Sequence, residues 1–237
     1  MHKDQPTGCC GVLIKDNKRC LLPLLGAATQ YPTEHLKKEW KAIENSKLLY
    51  TTAYFISTNN EALMMIARHA LAENKMFIFN LAATFWIEKY FKEINELIPY
   101  CDVIIGNGEE ASILSKMKGY GTDDKMEIMK KMLVEEKKNS KRTRTVIITQ
   151  GHQETVAGTY DFDTKKIETF TLSPTKIDQK DIVDTNGAGD SFAGGLLVGL
   201  ALGKDLKTCL TYANYLGWEC IQQIGCTFPP QCKMNLS

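Results

Sequence analysis

The chain has 237 residues, of which 43% are hydrophobic, and a formal net charge of +1. That length allows one large domain or two small ones, and the near-neutral charge argues against nucleic acid or a charged membrane surface as a partner. The longest apolar stretch, residues 192–202, is too short to cross a bilayer. The eight cysteines include no Cys-x-x-Cys pair, which argues against a zinc site and favours reduced thiols in the cytoplasm.

The first third of the chain predicts a hairpin and then alternating helices and strands. Strands are expected at residues 9–14 and 19–25, joined by a turn at 15–18. Residues 34–46 have helical periodicity, with Leu36, Trp40 and Ile43 on one face. An apolar and aromatic run predicts a buried strand at residues 48–56, and a helix follows at 60–74.

The alternation continues through the rest of the chain. Further strands are predicted at residues 76–81, 103–105 and 145–149, and further helices at 87–97, 109–116, 123–138 and 206–223. Residues 156–162 and 167–172 predict an antiparallel hairpin. This order indicates an α/β fold with an open, mainly parallel sheet covered on both faces. Without an internal repeat or a low-complexity linker, residues 1–237 are expected to form one domain.

Three candidate sites fall at the carboxyl ends of predicted strands, where ligands of such sheets collect. The first holds Asn107 and Glu110, and the second is the run Thr149-Gln150-Gly151. The spacing of Asn107 and Glu110 also fits a helix capping box, and this stretch alone leaves both interpretations open.

The third candidate is the run Asp184-Thr185-Asn186-Gly187-Ala188-Gly189-Asp190. A glycine turn that leads into a helix presents free N–H groups and the positive end of the helix dipole, which suits a phosphate. A carboxylate beside such a site could accept a proton from an attacking hydroxyl. The alternative is a glycine turn in which Asp190 only caps the helix.

Six segments in order resemble the ribokinase-like (phosphofructokinase-B) family of sugar and nucleoside kinases. They are residues 8–14, 80–83, 106–111, 149–151, 184–190 and 225–229. The resemblance implies a ribokinase-like three-layer α/β sandwich with a mainly parallel central sheet. It also implies transfer of the γ-phosphate of ATP to the 5′-hydroxyl of adenosine, giving AMP for purine salvage in the cytoplasm, with the nucleus as a second location.

The resemblance implies a role for each matching residue. Asp190 is the catalytic base, Arg19 neutralises charge on the phosphoryl group, and an anion hole is formed by Gly187, Ala188 and Gly189. Asn107 and Glu110 handle magnesium and phosphate, with Glu110 acting on Mg²⁺ through water. Nucleotide contacts are expected from Thr149, Gly151 and Asn186, and the nucleoside pocket is expected to be lined by Leu21, Leu25, Tyr54 and Phe85. As isolated residues, these four also fit core or hairpin packing, and Arg19 fits an exposed hairpin arginine.

One departure from the family pattern lies before Cys9. The segment that carries a Gly-Gly hinge and the ribose-binding aspartate has no counterpart in this sequence. The expectation is therefore an N-terminally truncated kinase domain without the first strands and part of the lid. A complete chain would be a monomer, whereas a truncated one would bind a partner or aggregate. Two alternatives stay open: an impaired fragment or isoform that binds ATP or a protein partner, and a kinase for another nucleoside or a sugar.

Overall fold

The computed structural model describes residues 4–15, 18–225 and 227–229, without the side chains of residues 14, 15, 18 and 19. The chain divides into two compact units. Among the described residues, unit 1 contains 4–5 and 27–171, and unit 2 contains 6–26 and those from 172 onward. The single domain expected from the sequence stays a prediction.

The described residues form eight strands and nine α-helices. The strands are β1 (Cys9–Lys15), β2 (Lys18–Leu24), β3 (Leu48–Thr52), β4 (Met76–Asn80), β5 (Val103–Asn107), β6 (Arg144–Gln150), β7 (Gln153–Tyr160) and β8 (Ile167–Leu172). The helices are α1 (Thr33–Lys38), α2 (Trp40–Asn45), α3 (Tyr54–Ala72), α4 (Thr84–Lys89), α5 (Phe91–Leu97), α6 (Gly108–Lys118), α7 (Lys125–Leu133), α8 (Ala188–Ala201) and α9 (Leu206–Cys220).

The sheet of unit 1 has six strands in the order β3-β4-β5-β6-β7-β8. The first four strands are parallel, and β7 is antiparallel to β6. Phe77 and Phe79 are fully buried on one face of β4, and Ile78 is fully buried on the other. Burial on both faces is typical of parallel sheets. It confirms the mainly parallel α/β architecture predicted from the sequence.

The strand predicted at residues 48–56 is too long. β3 ends at Thr52 and α3 begins at Tyr54, with a break at Asn59, where φ is −161° and ψ is 91°. The Asn59 side chain accepts a hydrogen bond from the Ala62 N–H at 2.9 Å and donates one to the Tyr31 carbonyl at 2.8 Å. Asn59 therefore caps the longer part of α3, which starts where the sequence predicted a helix.

Of the other predicted helices, two are divided and one is much shorter than expected. The helix at residues 34–46 is divided into α1 and α2, and the one at 87–97 into α4 and α5. The helix at 123–138 ends at Leu133, because the chain beyond it surrounds a buried guanidinium. Arg144 donates to the carbonyls of Glu135 and Glu136, each at 2.8 Å. The guanidinium thus satisfies carbonyls that would otherwise accept from helical N–H groups.

In unit 2, α8 packs closely against α9 because α8 carries glycines at the contact. A Cβ atom at Gly195 would lie 2.5 Å from the Tyr212 carbonyl oxygen, and one at Gly199 would lie 2.7 Å from the Cys209 sulfur. Both distances are too short for any side chain. β1 and β2 form the antiparallel hairpin predicted from the sequence. In the part of the chain that the structure describes, no helix is long and apolar enough to cross a membrane.

Candidate active site

Asn107 and Glu110 form a reciprocal capping box at the junction of β5 and α6. The Asn107 side-chain oxygen accepts a hydrogen bond from the Glu110 N–H at 2.9 Å. The Glu110 carboxylate accepts from the Asn107 N–H at 2.8 Å and from the Asn107 side-chain amide at 2.7 Å. The capping interpretation of this spacing is therefore confirmed. The cap leaves room for a functional role as well, because Asn107 remains exposed.

Glu110 lies beneath this junction and is only 4% exposed. Burial raises the pKa of its carboxyl above the usual range, while the hydrogen bond from the Asn107 backbone opposes that shift. Gly106 makes room for the carboxylate, since a Cβ there would lie 3.2 Å from Glu110 Oε2 and 2.8 Å from Leu81 Cδ1. The small residue and the buried acid thus form one packed arrangement under the end of β5.

A cleft of ≈ 570 Å³ opens at the carboxyl ends of β5 and β6. Asn107 and Thr149 are direct partners across the two strands, and Gly151 follows in the turn after β6 with φ of 62°. The structure thus brings together residues from two of the three candidate sites that the sequence indicated separately. The cleft lining consists of Asn107, Gly108, Glu109, Ser112, Asp123, Lys125, Thr149, Gln150, Gly151 and Gln153.

Four of these cleft residues carried no signal in the sequence: Ser112, Asp123, Lys125 and Gln153. Lys125 is the first residue of α7, and its ammonium donates to Ser112 Oγ at 2.8 Å and to Asp123 Oδ1 at 3.1 Å. Lys125 lies eighteen residues after Asn107 in the sequence and belongs to α7, whereas Asn107 caps α6. Only the packing of α7 beside α6 places its side chain at this cleft.

The glycine turn of unit 2 is held by Asp184. Asp184 is 4% exposed, and its carboxylate accepts hydrogen bonds from the Asn186 N–H at 2.9 Å and from the Gly225 N–H at 3.0 Å. A second bond from the Asn186 side-chain amide measures 3.2 Å. Asn186 therefore turns toward Asp184, and the buried acid ties the turn to the segment that follows α9.

Gly187 lies at the N-cap of α8 with φ of 75°, a left-handed conformation that glycine adopts without strain. The helix begins at Ala188, and the Ser191 N–H donates to the Gly187 carbonyl at 2.8 Å. Asp190 is exposed in the first helical turn, so the interpretation of Asp190 as the cap is wrong. The first N–H groups of a helix lack partners within it, and here the same helical turn carries the exposed Asp190. The Ala188 N–H makes a long hydrogen bond of 3.4 Å to the Thr185 carbonyl.

The residues expected at the nucleoside pocket are partly exposed rather than buried in the core. Tyr54 is 46% and Phe85 52% exposed, and both contact Trp86, with ring centroids 5.9 and 4.5 Å apart. Trp86 was not predicted, although it directly follows Phe85. On the hairpin, Leu21 and Leu25 are 48% and 42% exposed. The side chain of Arg19 lies outside the described residues.

The sequence profile of the pfkB family of carbohydrate kinases matches residues 1–232. The chain belongs to this family. The ribokinase-like fold expected from the sequence is confirmed, because a pfkB-family match and close structural neighbours agree with the mainly parallel sheet.

Similar proteins in the pfkB family include adenosine kinases. That of Schizosaccharomyces pombe is 39% identical over 231 residues, covering 94% of this chain and 65% of that protein. That of Dictyostelium discoideum is 37% identical, covering 94% and 64%. The structure of Anopheles gambiae adenosine kinase in complex with P1,P4-di(adenosine-5) tetraphosphate has a TM-score of 0.90 at 33% identity, covering 97% of this chain and 68% of that one. The chain spans 64–65% of the length of these two curated relatives.

Proposed function

We propose that this pfkB-family chain is an ATP-dependent adenosine kinase, which transfers the γ-phosphate of ATP to the 5′-hydroxyl of adenosine and yields AMP and ADP. The observation that carries the proposal is the start of α8, where a left-handed Gly187 leads into helical N–H groups with Asp190 exposed beside them. Adenosine as the acceptor is supported by the adenosine kinases of S. pombe and D. discoideum, to which the chain is similar.

In this proposal the residues around Asp190 act on the transferred group. The Asp190 carboxylate accepts the proton of the attacking hydroxyl, and the N–H groups of Gly187, Ala188 and Gly189 bind the phosphoryl oxygens. Arg19 neutralises charge that develops on the same group. Phosphoryl transfer depends mainly on positioning and electrostatic stabilisation, so a carboxylate of ordinary basicity is sufficient. Tyr54, Phe85, Leu21 and Leu25 contact the nucleoside, since aromatic faces can stack on adenine.

ATP and Mg²⁺ belong to the cleft at β5 and β6 in the same proposal, with Asn107, Thr149 and Gly151 as nucleotide contacts there. Asn186, in the glycine turn of unit 2, is a further nucleotide contact in this proposal. In the described residues, no three His, Cys, Asp or Glu side chains cluster as a metal site. That fits a magnesium ion held mainly by phosphate oxygens and waters. Glu110 would act on such an ion only indirectly, through a water or through Asn107, because its carboxylate is buried beneath the cleft and both of its oxygens already accept hydrogen bonds from Asn107. The ion would neutralise phosphate charge during transfer.

The proposal is tested by AMP formation from adenosine, ATP and MgCl₂ with the purified chain and its Asp190→Asn variant. General-base catalysis contributes roughly 10²–10⁴-fold, so the variant should lose about that factor in kcat. Asp178→Asn is the matched control, because Asp178 is an exposed aspartate of unit 2 paired only loosely with Lys180 at 3.4 Å. Undiminished turnover by Asp190→Asn would refute the role of Asp190. Phosphorylation of ribose or another nucleoside in preference to adenosine would refute the proposed acceptor.

A further inference from the structure

Lys125 is the one cation among the ten described residues that line the cleft at β5 and β6. The cleft also contains two carboxylates, Glu109 and Asp123, and both are exposed. The Lys125 side chain is only 18% exposed, whereas that of Asp123 is 79% exposed. Solvent screens exposed charges more than withdrawn ones, so the charge that acts most strongly inside the cleft is positive.

The ammonium of Lys125 is fixed in position before any ligand arrives. It donates to Ser112 Oγ at 2.8 Å and to the Asp123 carbonyl at 2.7 Å. The aliphatic part of the side chain crosses Gly108, where a Cβ would lie 3.3 Å from Lys125 Cε. A side chain that is already ordered loses little further conformational entropy when it binds a ligand.

The remaining contact of the ammonium is one that a ligand can replace. The Asp123 carboxylate lies 3.1 Å from Lys125 Nζ and reaches into solvent. Ion pairs of this kind contribute little to stability, so exchange of the carboxylate for a phosphate oxygen loses little. Ser112 and the Asp123 carbonyl would continue to hold the ammonium during that exchange.

We propose that Lys125 binds the phosphate chain of ATP in this cleft. Until nucleotide binds, the Asp123 carboxylate pairs with the Lys125 ammonium, and a phosphate oxygen then replaces that carboxylate. The inference rests on the proposed function and adds to it a residue from α7, which the family resemblance did not single out. It makes the affinity for nucleotide depend on the number of phosphates that reach Lys125.

The test is calorimetric titration of the chain with ATP and with ADP, in MgCl₂ at fixed ionic strength. Lys125→Met should weaken ATP binding roughly ten- to hundredfold, the range of one hydrogen bond to a charged group. Asp123→Asn should bind ATP at least as tightly as the unmodified chain, since the competing carboxylate is removed. Lys130→Met is the matched control, because Lys130 is on the same helix, pairs with Glu127 at 2.9 Å and does not line the cleft.

A labelling experiment avoids dependence on the folding of a variant. Lysines of the unmodified chain are acetylated with a limiting reagent with or without MgATP, and mass spectrometry measures each site. ATP should slow acetylation of Lys125 and leave Lys130 unchanged. Tight ATP binding with unprotected Lys125 would overturn this inference alone, as would equal affinity in Lys125→Met. Absence of ATP binding by the unmodified chain would overturn the proposed function itself.

Discussion

The Glu110 carboxylate holds Asn107 through both of its oxygens, one on the backbone N–H at 2.8 Å and one on the side-chain amide at 2.7 Å. The acid is buried while the amide is exposed at the cleft. The orientation of an exposed residue at the nucleotide cleft therefore depends on a residue that does not line the cleft.

Replacement of Glu110 should cost both stability and nucleotide affinity. Glu110→Ala leaves two donors of Asn107 without their acceptor, so we expect the free energy of unfolding to fall by about 1.5–3 kcal/mol. Urea unfolding measures that loss, and the KM for ATP should rise because Asn107 is released. Glu109→Ala is the control for stability alone, since the neighbouring Glu109 is exposed and takes no part in the capping box but lines the cleft. An unfolding free energy equal to that of the control would contradict the prediction.

Glu110 also predicts a pH dependence of stability. Burial raises the pKa of its carboxyl in the folded chain, so the folded chain binds the proton more tightly than the unfolded one. The stabilisation from this group is complete below the unfolded pKa of about 4.3 and is lost as pH rises through the raised folded pKa. Urea unfolding of the unmodified chain and of Glu110→Gln at several pH values isolates the effect. As pH rises, the unfolding free energy of the unmodified chain should fall relative to that of Glu110→Gln. A difference that stays constant with pH would contradict the prediction.

Gly106→Ala should destabilise unit 1 although it adds only a methyl group. That methyl would approach Leu81 Cδ1 to 2.8 Å and Glu110 Oε2 to 3.2 Å, and overpacking of this kind costs about 1–3 kcal/mol. Gly194→Ala provides the opposite case, because it lies within α8 and a Cβ there meets nothing within 4 Å. Alanine should stabilise that position by about 0.5–1 kcal/mol. Thermal unfolding of both variants gives the comparison, and an unchanged Tm for Gly106→Ala would contradict it.

Asp184→Ala should disrupt the glycine turn before α8. The variant leaves the N–H groups of Asn186 and Gly225 without the carboxylate that now accepts from both. An unsatisfied buried donor costs about 1–3 kcal/mol and these two are part-buried, so we expect a loss of about 1–3 kcal/mol in urea unfolding, together with reduced kcat. Asp178→Ala should leave both quantities unchanged, because that side chain is 74% exposed. Full activity in Asp184→Ala would show that the turn keeps its shape without the acid.

The parts of the site that were predictable lie within single stretches of chain. A strand at residues 103–105 and a helix after the glycine turn each follow from local spacing, and both form, although β5 extends to Asn107 and α8 already begins at Ala188. Lys125 was not predictable, because it reaches the cleft only when α7 packs beside α6. The run at Tyr54 was assigned to a strand since aromatic and apolar residues suit both a buried strand and a buried helix. Asn59 caps only the longer part of α3, and the Tyr31 carbonyl to which it donates lies 28 residues earlier in the chain, so local spacing does not reveal this contact.

The glycine contact between α8 and α9 restricts how Asp190 can move. At Gly195 and Gly199 the backbones approach too closely for either helix to slide along or rotate against the other without a steric collision. Close packing of this kind resists shear between the two helices, so we expect α8 and α9 to move together. Any displacement of the Asp190 carboxylate along α8 must involve the turn at Gly187 or carry α9 with it. The position of Asp190 relative to α8 and α9 should therefore change little.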